Sequence, residues 1–138
     1  MRDYPTLEKM NPVLQVLKMK KLFPQFTWAG KSGKYVFRGI LNPSSNSQGY
    51  YIRINYDSFD VPKVFVDRPK IRDDAPHRYQ KDKSLCLYHP KNFQWEQKYF
   101  LADTVVPWTI AWLYFYEAWI KTGIWYGPEA EHTQEGRI

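Results

Sequence analysis

The sequence predicts an α+β domain in which a four-stranded antiparallel meander packs against an N-terminal helix and a central helix. Three features of the 138 residues lead to this prediction: a short capped helical segment, four strand-like segments separated by turn residues, and a long aromatic helical segment. No repeat or long linker interrupts them. We therefore expect residues 1–138 to form a single domain, which is long enough for one well-packed core.

The first helix is predicted over residues 11–23, "NPVLQVLKMKKLF". Asn11 is a favourable N-cap, Pro12 suits the first helical position, and Pro24 ends the helix. The apolar positions recur at helical spacing: Val13, Val16, Leu17 and Met19 or Lys20.

Four strand-like segments follow, at residues 25–30, 35–41, 50–56 and 63–66. The connections "KSGK", "NPSSNSQG" and "DSFDVP" are rich in residues that form turns. The third segment shows the clearest alternation, because its two isoleucines oppose polar side chains: Ile52 and Ile54 against Arg53 and Asn55. Short connections and alternation favour a meander with one packed face and one face in water.

The second helix is predicted to begin near Asp103, which can cap it, and to end at Gly123. Pro107 is tolerable because it lies in the first turn. One stripe is aromatic: Trp108, Trp112, Phe115 and Trp119. Other apolar side chains lie around the rest of the helix: Ile110, Leu113 and Ile120. A helix that is apolar on most sides is normally sandwiched between layers, and we expect core packing here, with an aromatic groove or partner surface as the alternative.

Composition and charge limit the possible cellular locations of the protein and the classes of partner that it could bind. Residues 105–120 are the most lipid-like stretch, but they are fewer than the ~20 residues that a spanning helix needs, and they include Glu117. The start of the chain lacks the apolar region of a signal peptide, and one cysteine cannot form an internal disulfide, so a reducing cytoplasm is expected. The net charge of +6 is spread along the chain, which favours a solvated surface or an acidic protein partner over nucleic acid.

The only cysteine, Cys86, lies in the segment "KSLCLYHPKNFQW". In an extended segment side chains alternate, so Leu85 and Leu87 would point into the core and Cys86 would point outward with Ser84 and Tyr88. Basic side chains nearby would favour the thiolate, which is the nucleophilic form: His77, Lys81, Lys83 and His89.

Three other interpretations of this cysteine stay open. It could be a small hydrophobic residue of the core. It could pair with a histidine as in a cysteine protease, although no protease signature surrounds it. A zinc site is the weakest interpretation, because one cysteine and dispersed histidines lack the spacing of metal ligands, so we expect no metal and no cofactor.

The segments together resemble the ubiquitin-conjugating enzymes. That family has an N-terminal helix, a four-stranded meander, an active-site "LCL" segment, a tryptophan eight or nine residues later, and a central helix. Here "SLCLYHPKNFQW" contains Cys86 and Trp95, "FDVPKVFV" is similar to the turn between the family's third and fourth strands, and "YVFRGIL" to its second strand. The resemblance covers roughly residues 11–122 and implies a minimal ubiquitin-conjugating-enzyme fold, without the family's usual C-terminal helices, and a thioester on Cys86.

The chain departs from the family at its His-Pro-Asn motif. The matching stretch is "APHRYQKDK", in which His77 is in place but no asparagine follows. The resemblance makes His77 a catalytic candidate, for proton removal or for stabilising an oxyanion, and Asn92, His77 and Tyr79 candidates for the missing asparagine's role. His89 is a candidate for orienting a reacting group, and Asp103 for orienting the attacking amine.

The stretch "TVVPWTIAWLYFYEAWIKTGIW" resembles the prokaryotic branch of the family, which is encoded in CBASS anti-phage operons beside a cGAS-like nucleotidyltransferase. The implied function is to accept the C-terminus of the nucleotidyltransferase, or of a ubiquitin-like protein, and to pass it to an amine-bearing protein. The chain shows no adenylation motif, so activation of the carboxylate is expected elsewhere. Two alternatives are a non-catalytic adaptor on the same fold and a basic nucleic-acid-binding domain.

Overall fold

The structure, a computed structural model, describes residues 11–88 and 93–128. The elements follow the predicted order: α1 (Val13–Leu22), β1 (Thr27–Lys31), β2 (Lys34–Leu41), β3 (Tyr50–Asp57), β4 (Lys63–Arg68) and α2 (Val105–Thr122). The strands form one sheet in the order β1-β2-β3-β4, and each neighbouring pair is antiparallel. The predicted α+β class and the meander are confirmed.

The turn between β1 and β2 explains why this hairpin forms where the sequence predicts it. Lys31 lies opposite Lys34, so only Ser32 and Gly33 connect the strands. Both have left-handed backbone angles, with φ values of 58° and 81°. Two consecutive positive φ values characterise the two-residue turns whose twist matches that of the strands, and glycine adopts them at little cost.

The sheet carries the core on one face. Ile52 and Ile54 are fully buried, whereas Arg53 and Asn55 lie on the other face and are only partly covered, as the alternation predicts. The buried face joins both helices in one hydrophobic cluster, with Val16 of α1 and several side chains of α2 among its members. The site loops are therefore built on a rigid sandwich of sheet and helices.

The buried side of α1 differs from the prediction. Val16 and Met19 are buried, but Val13 and Leu17 are about half exposed. Gln15 is buried instead: its Nε2 donates to the carbonyl oxygen of Tyr99 at 2.8 Å, and its Oε1 accepts from the N–H of Leu101 at 2.9 Å. A glutamine can enter the core here because both ends of its amide are satisfied by backbone groups.

The C-terminal ends of both helices are as predicted, with Phe23 before Pro24 and Gly123 as the C-caps, whereas both predicted N-caps differ from the structure. The Asn11 Oδ1 accepts from the N–H of Val13 at 3.0 Å, although the helix itself starts after Pro12. Gly123 ends α2 in a left-handed conformation. The predicted cap at Asp103 is wrong, because α2 begins after Thr104 and the Asp103 carboxylate instead lies 3.2 Å from Lys18 Nζ on α1.

The predicted sandwiching of α2 is also wrong. One face of the helix is buried: Val105, Val106, Thr109, Trp112, Leu113 and Tyr116. Tyr114 and Ile120 on the outside are exposed, and Trp108 is only partly covered, against the ring of Tyr88. Thr109 is tolerated in the buried face because its hydroxyl donates to the Val105 carbonyl oxygen at 2.8 Å. Among the described helices, none is long and apolar enough to cross a bilayer.

We predict that Gln15→Ala lowers the free energy of unfolding by about 2–4 kcal/mol, because it leaves the buried N–H of Leu101 and the partly buried carbonyl oxygen of Tyr99 without their partner. Urea unfolding followed by circular dichroism measures this. Gln25→Ala is the matched control, since Gln25 makes a similar side-chain bond to the Ile40 carbonyl oxygen but is exposed. The control should stay within about 0.5 kcal/mol of the wild type. Equal losses in both variants would contradict the prediction.

Candidate active site around Cys86

Cys86 ends a tight loop, residues 77–86, that lies beside the edge strand of the sheet. It belongs to the second of the two arms that pair within this loop. The arms pair through backbone bonds: the Cys86 N–H donates to the His77 carbonyl oxygen, and the Tyr79 N–H donates to the Ser84 carbonyl oxygen, both at 2.9 Å. The Leu85 N–H donates to the Val64 carbonyl oxygen of β4, also at 2.9 Å. Backbone bonds to both neighbouring segments therefore fix the position of the cysteine.

His77 is the residue at which this loop meets α2. Its carbonyl oxygen accepts from the Cys86 N–H and also from the indole Nε1 of Trp112, at 3.1 Å. A positive φ of 60° at His77 accompanies this arrangement, and its ring packs on Trp125 with the ring centres 4.8 Å apart. The structure thus brings the backbone of His77 to the cysteine segment.

The cysteine side chain is buried, so the predicted outward orientation is wrong. Cys86 is 6% exposed; Ser84 and Leu85 are equally buried, whereas Leu87 is only half-buried. Alternation fails because this segment is not a strand with one free face; the sheet edge lies on one side of it and α2 on the other. The Cys86 Sγ donates to the Tyr88 carbonyl oxygen at 3.3 Å.

The environment raises the pKa of the Cys86 thiol, contrary to the expectation that basic neighbours would favour the thiolate. Burial is the dominant cause, and hydrogen bonds from the Tyr79 hydroxyl and the Tyr88 backbone act in the opposite direction. The basic side chains near Cys86 in the sequence do not outweigh burial. The thiol is therefore protonated at neutral pH.

Tyr79 lies close enough to Cys86 for each side chain to shift the pKa of the other, which places a second functional group beside the thiol. Burial, followed by the charge and hydrogen bond of Cys86, raises the pKa of Tyr79 well above its ordinary value. The phenol consequently stays protonated and can only donate to a developing negative charge at neutral pH. Tyr79 is the second residue after His77, where the His-Pro-Asn motif has its asparagine.

An apolar groove of about 350 Å³ lies beside the cysteine segment. Its apolar lining comes from the turn before β4, the start of α2 and the cysteine segment: Val61, Pro62, Val64, Leu85, Leu87 and Val105. Tyr79 and Tyr88 also line it; the Tyr88 carbonyl oxygen accepts from the thiol, and the Tyr79 side chain lies near enough to affect the pKa of the thiol. The groove therefore reaches the residues that surround the sulfur.

Asp82 holds the tip of the loop, a role that sequence reasoning missed. Its Oδ1 accepts from the N–H and the hydroxyl of Ser84, and its Oδ2 lies 2.9 Å from Lys63 Nζ. Partial burial works to raise the pKa of Asp82, but the bonds from Ser84 and Lys63 outweigh it and lower the pKa to about 2. The Asp-Lys-Ser spacing is typical of an Asx-type turn and could have revealed this contact.

The remaining candidates are not brought together at the thiol. The Asp103 carboxylate pairs with Lys18 of α1, and His89 and Asn92 lie outside the described residues. Trp95 is buried and packs edge-on against Tyr99. Within residues 11–88 and 93–128, no group of three histidine, cysteine, aspartate or glutamate side chains is arranged to hold a metal ion.

Comparison with known proteins adds one finding. The sequence model of a family described as "Type II CBASS E2 protein" matches residues 15–133, which include the four strands, α2 and the loop that holds Cys86. No curated protein matches the chain.

The contact between Tyr79 and the thiol predicts a pH effect. The raised pKa means that alkylation of Cys86 by iodoacetamide should keep accelerating above the pH at which an ordinary thiol, of pKa ~8.5, is fully ionised. Removing the Tyr79 hydroxyl removes a bond that favours the thiolate, so Tyr79→Phe should slow alkylation at pH 7.5 about tenfold. Mass spectrometry gives the rate directly, because the chain has one cysteine.

Tyr114→Phe is the matched control, because Tyr114 is exposed on the outside of α2. Its alkylation profile should overlay that of the wild type. A faster reaction in Tyr79→Phe would show that the hydroxyl shields the sulfur instead of stabilising its charged form.

Proposed function

This chain belongs to the family of Type II CBASS E2 proteins, and we propose that it carries an acyl group as a thioester on Cys86. The family belongs to CBASS anti-phage defence and is associated with a cGAS-like enzyme. The proposed donor is the C-terminus of that nucleotidyltransferase or of a ubiquitin-like protein, and the acceptor is an amine on another protein. The observation that carries the proposal is the placement of Tyr79 beside the single thiol, next to an apolar groove that Tyr79 also lines.

The groove supports a peptide as the substrate. An extended C-terminal tail presents side chains on alternate sides, and the apolar lining from β4, α2 and the cysteine segment suits small apolar side chains. Lys81 also lines the groove and would favour an acidic residue in the tail. Because Cys86 is buried, the incoming carbonyl has to displace the contact between the thiol and the Tyr88 carbonyl oxygen.

The first step forms the thioester. The donor arrives as a thioester or acyl adenylate made by another protein, and the Cys86 sulfur attacks its carbonyl carbon. The new C–S bond forms, the bond to the donor's leaving group breaks, and the thiol proton leaves with that group. Burial disfavours the thiolate before the donor arrives, so the hydrogen bond from Tyr79 supports the charge that develops on sulfur.

The second step transfers the acyl group. An amine, of pKa ~10.4 when it is a lysine side chain, attacks in its neutral form. The C–N bond forms, the C–S bond breaks, and the amine proton passes to the released sulfur. Tyr79 is proposed as the donor to the oxyanion, because its raised pKa makes it a hydrogen-bond donor and a poor base. It stays a prediction that His77 removes a proton or stabilises the oxyanion. The roles suggested for His89, Asn92 and Asp103 also stay predictions.

The adaptor interpretation is the second candidate, and the burial of Cys86 favours it. A cysteine that is 6% exposed behaves as a core residue unless a ligand opens its surroundings. In that case the fold binds the nucleotidyltransferase without forming a covalent bond. The two candidates differ in one observable, the thioester.

We expect the protein to form a thiol-sensitive adduct with a synthetic peptide thioester that carries the C-terminal ten or so residues of the nucleotidyltransferase. The peptide is already activated, so the test needs no adenylating enzyme. Mass spectrometry should show one acyl group on the wild type and none on Cys86→Ala, whereas Cys86→Ser should give an oxyester that survives reducing agent. If no adduct forms and the peptide binds equally to wild type and Cys86→Ala, the thioester proposal is excluded and the adaptor interpretation remains.

Once the adduct is formed, Tyr79→Phe should release its acyl group to free lysine about a hundredfold more slowly than the wild type, as expected for loss of one oxyanion donor. Single-turnover discharge, started from purified thioester, separates this step from loading. Tyr114→Phe serves again as the control. Discharge at the wild-type rate in Tyr79→Phe would remove the proposed role of this hydroxyl.

A further inference from the structure

A second cavity, of about 220 Å³, lies between the edge of the sheet and the loop of residues 77–86. Strands β3 and β4 contribute Arg53, Phe65 and Asp67, and the loop contributes Arg78 and Lys83. Since one water molecule takes about 30 Å³ in the liquid, the space could hold roughly seven waters. It is large enough for a small hydrated ion and has charged side chains in its wall.

Arg78 is the unusual member of this wall. The residue is 8% exposed, and one terminal nitrogen donates to the Arg72 carbonyl oxygen at 2.8 Å. Its Nε is buried and has no hydrogen-bond partner among the described residues. Arginine does not lose its charge in proteins, so a full positive charge is buried here with a donor unused. Such a group is costly unless an anion or acceptor compensates it.

The acidic side chains of the cavity are already engaged. Asp67 pairs with Arg53, with its Oδ2 3.1 Å from the arginine Nε, and Asp82 is held by Lys63 and by two bonds from Ser84.

Neither Arg78 nor Lys83 forms an ion pair within residues 11–88 and 93–128. Burial lowers the pKa of Arg78, and Asp73, the acid that opposes this, is an exposed residue whose carboxylate lies 3.8 Å from Lys70 Nζ. Arg78, which is buried, and Lys83, which is exposed, therefore both line the cavity without an ion pair among the described residues.

We propose that this cavity is a binding site for a phosphate-sized oxyanion, held by the buried guanidinium of Arg78 and the ammonium of Lys83. The guanidinium group of Arg78, which lines the cavity, supplies one charge-assisted bond and Lys83 a second, and the oxygens of a tetrahedral anion can accept both. Free phosphate and the phosphate of a small metabolite share this chemistry, and the cavity volume favours the free ion. The site is separate from the acyl-transfer proposal, since no step of that chemistry needs it.

The test is calorimetric titration of inorganic phosphate into the full chain at constant ionic strength, with sodium chloride replaced as phosphate is added. The wild type should bind phosphate saturably at one site. Lys83→Gln should raise the dissociation constant for phosphate by at least about tenfold, which is the effect of losing one bond to a charged group. Lys20→Gln, which removes the same charge from the exposed side of α1, should change it by less than about twofold.

Nuclear magnetic resonance locates the ion without any substitution in the buried arginine. The ¹H–¹⁵N signal of the Arg78 Nε–H should shift with the same dissociation constant as the calorimetry, and the backbone signals of Lys83 and Phe65 should follow it. Adenosine monophosphate, titrated in parallel, should bind more weakly than phosphate because its nucleoside exceeds the space. Four results would each overturn the assignment. These are a non-saturable calorimetric response, an equal loss of phosphate affinity in the two lysine variants, an Arg78 Nε–H signal that does not shift, and tighter binding of adenosine monophosphate than of phosphate.

Discussion

The carbonyl oxygen of His77 accepts two hydrogen bonds, one from the Cys86 N–H and one from the indole of Trp112, and the site depends on that double contact. The first bond fixes the cysteine arm of the loop, and the second attaches the loop to the central helix. Because Trp112 is itself buried in the core, this bond ties the cysteine segment to the close-packed interior. Tyr116, one turn further along α2, adds a bond from the Arg72 N–H to its hydroxyl oxygen at 3.0 Å.

Burial of the thiol has two opposite consequences for a thioester carrier. Removal from water raises the pKa of Cys86 and so lowers its resting nucleophilicity. The same exclusion of water would protect a thioester, once formed, from hydrolysis. The hydroxyl of Tyr79 offsets part of the first effect without adding a charge of its own, since its pKa is also raised. A protonated phenol in this position combines protection of the sulfur with support for negative charge.

Most of the fold could be predicted from the sequence, because turn residues and alternation are local signals that identify the strands and their connections. The site could be predicted only in part. The role of Cys86 stays a prediction, and the outward orientation predicted for its side chain is wrong, since alternation assumes a strand with one free face. Gln15 and the Tyr79–sulfur contact depend on partners distant in space or on loop geometry, which no local pattern encodes. Asp103 was predicted to cap α2, but its carboxylate pairs instead with Lys18 on the other helix.

The two edges of the sheet differ, and this has a consequence for self-association. The β4 edge is occupied where the Leu85 N–H pairs with the Val64 carbonyl oxygen. At the opposite edge every residue of β1 is exposed. Sideways extension by another chain would therefore have to begin at β1, where it meets a strand of only five residues that ends in Gly30 and Lys31. Short length, a glycine and a charged terminus are the features that keep exposed strand edges from templating fibrils.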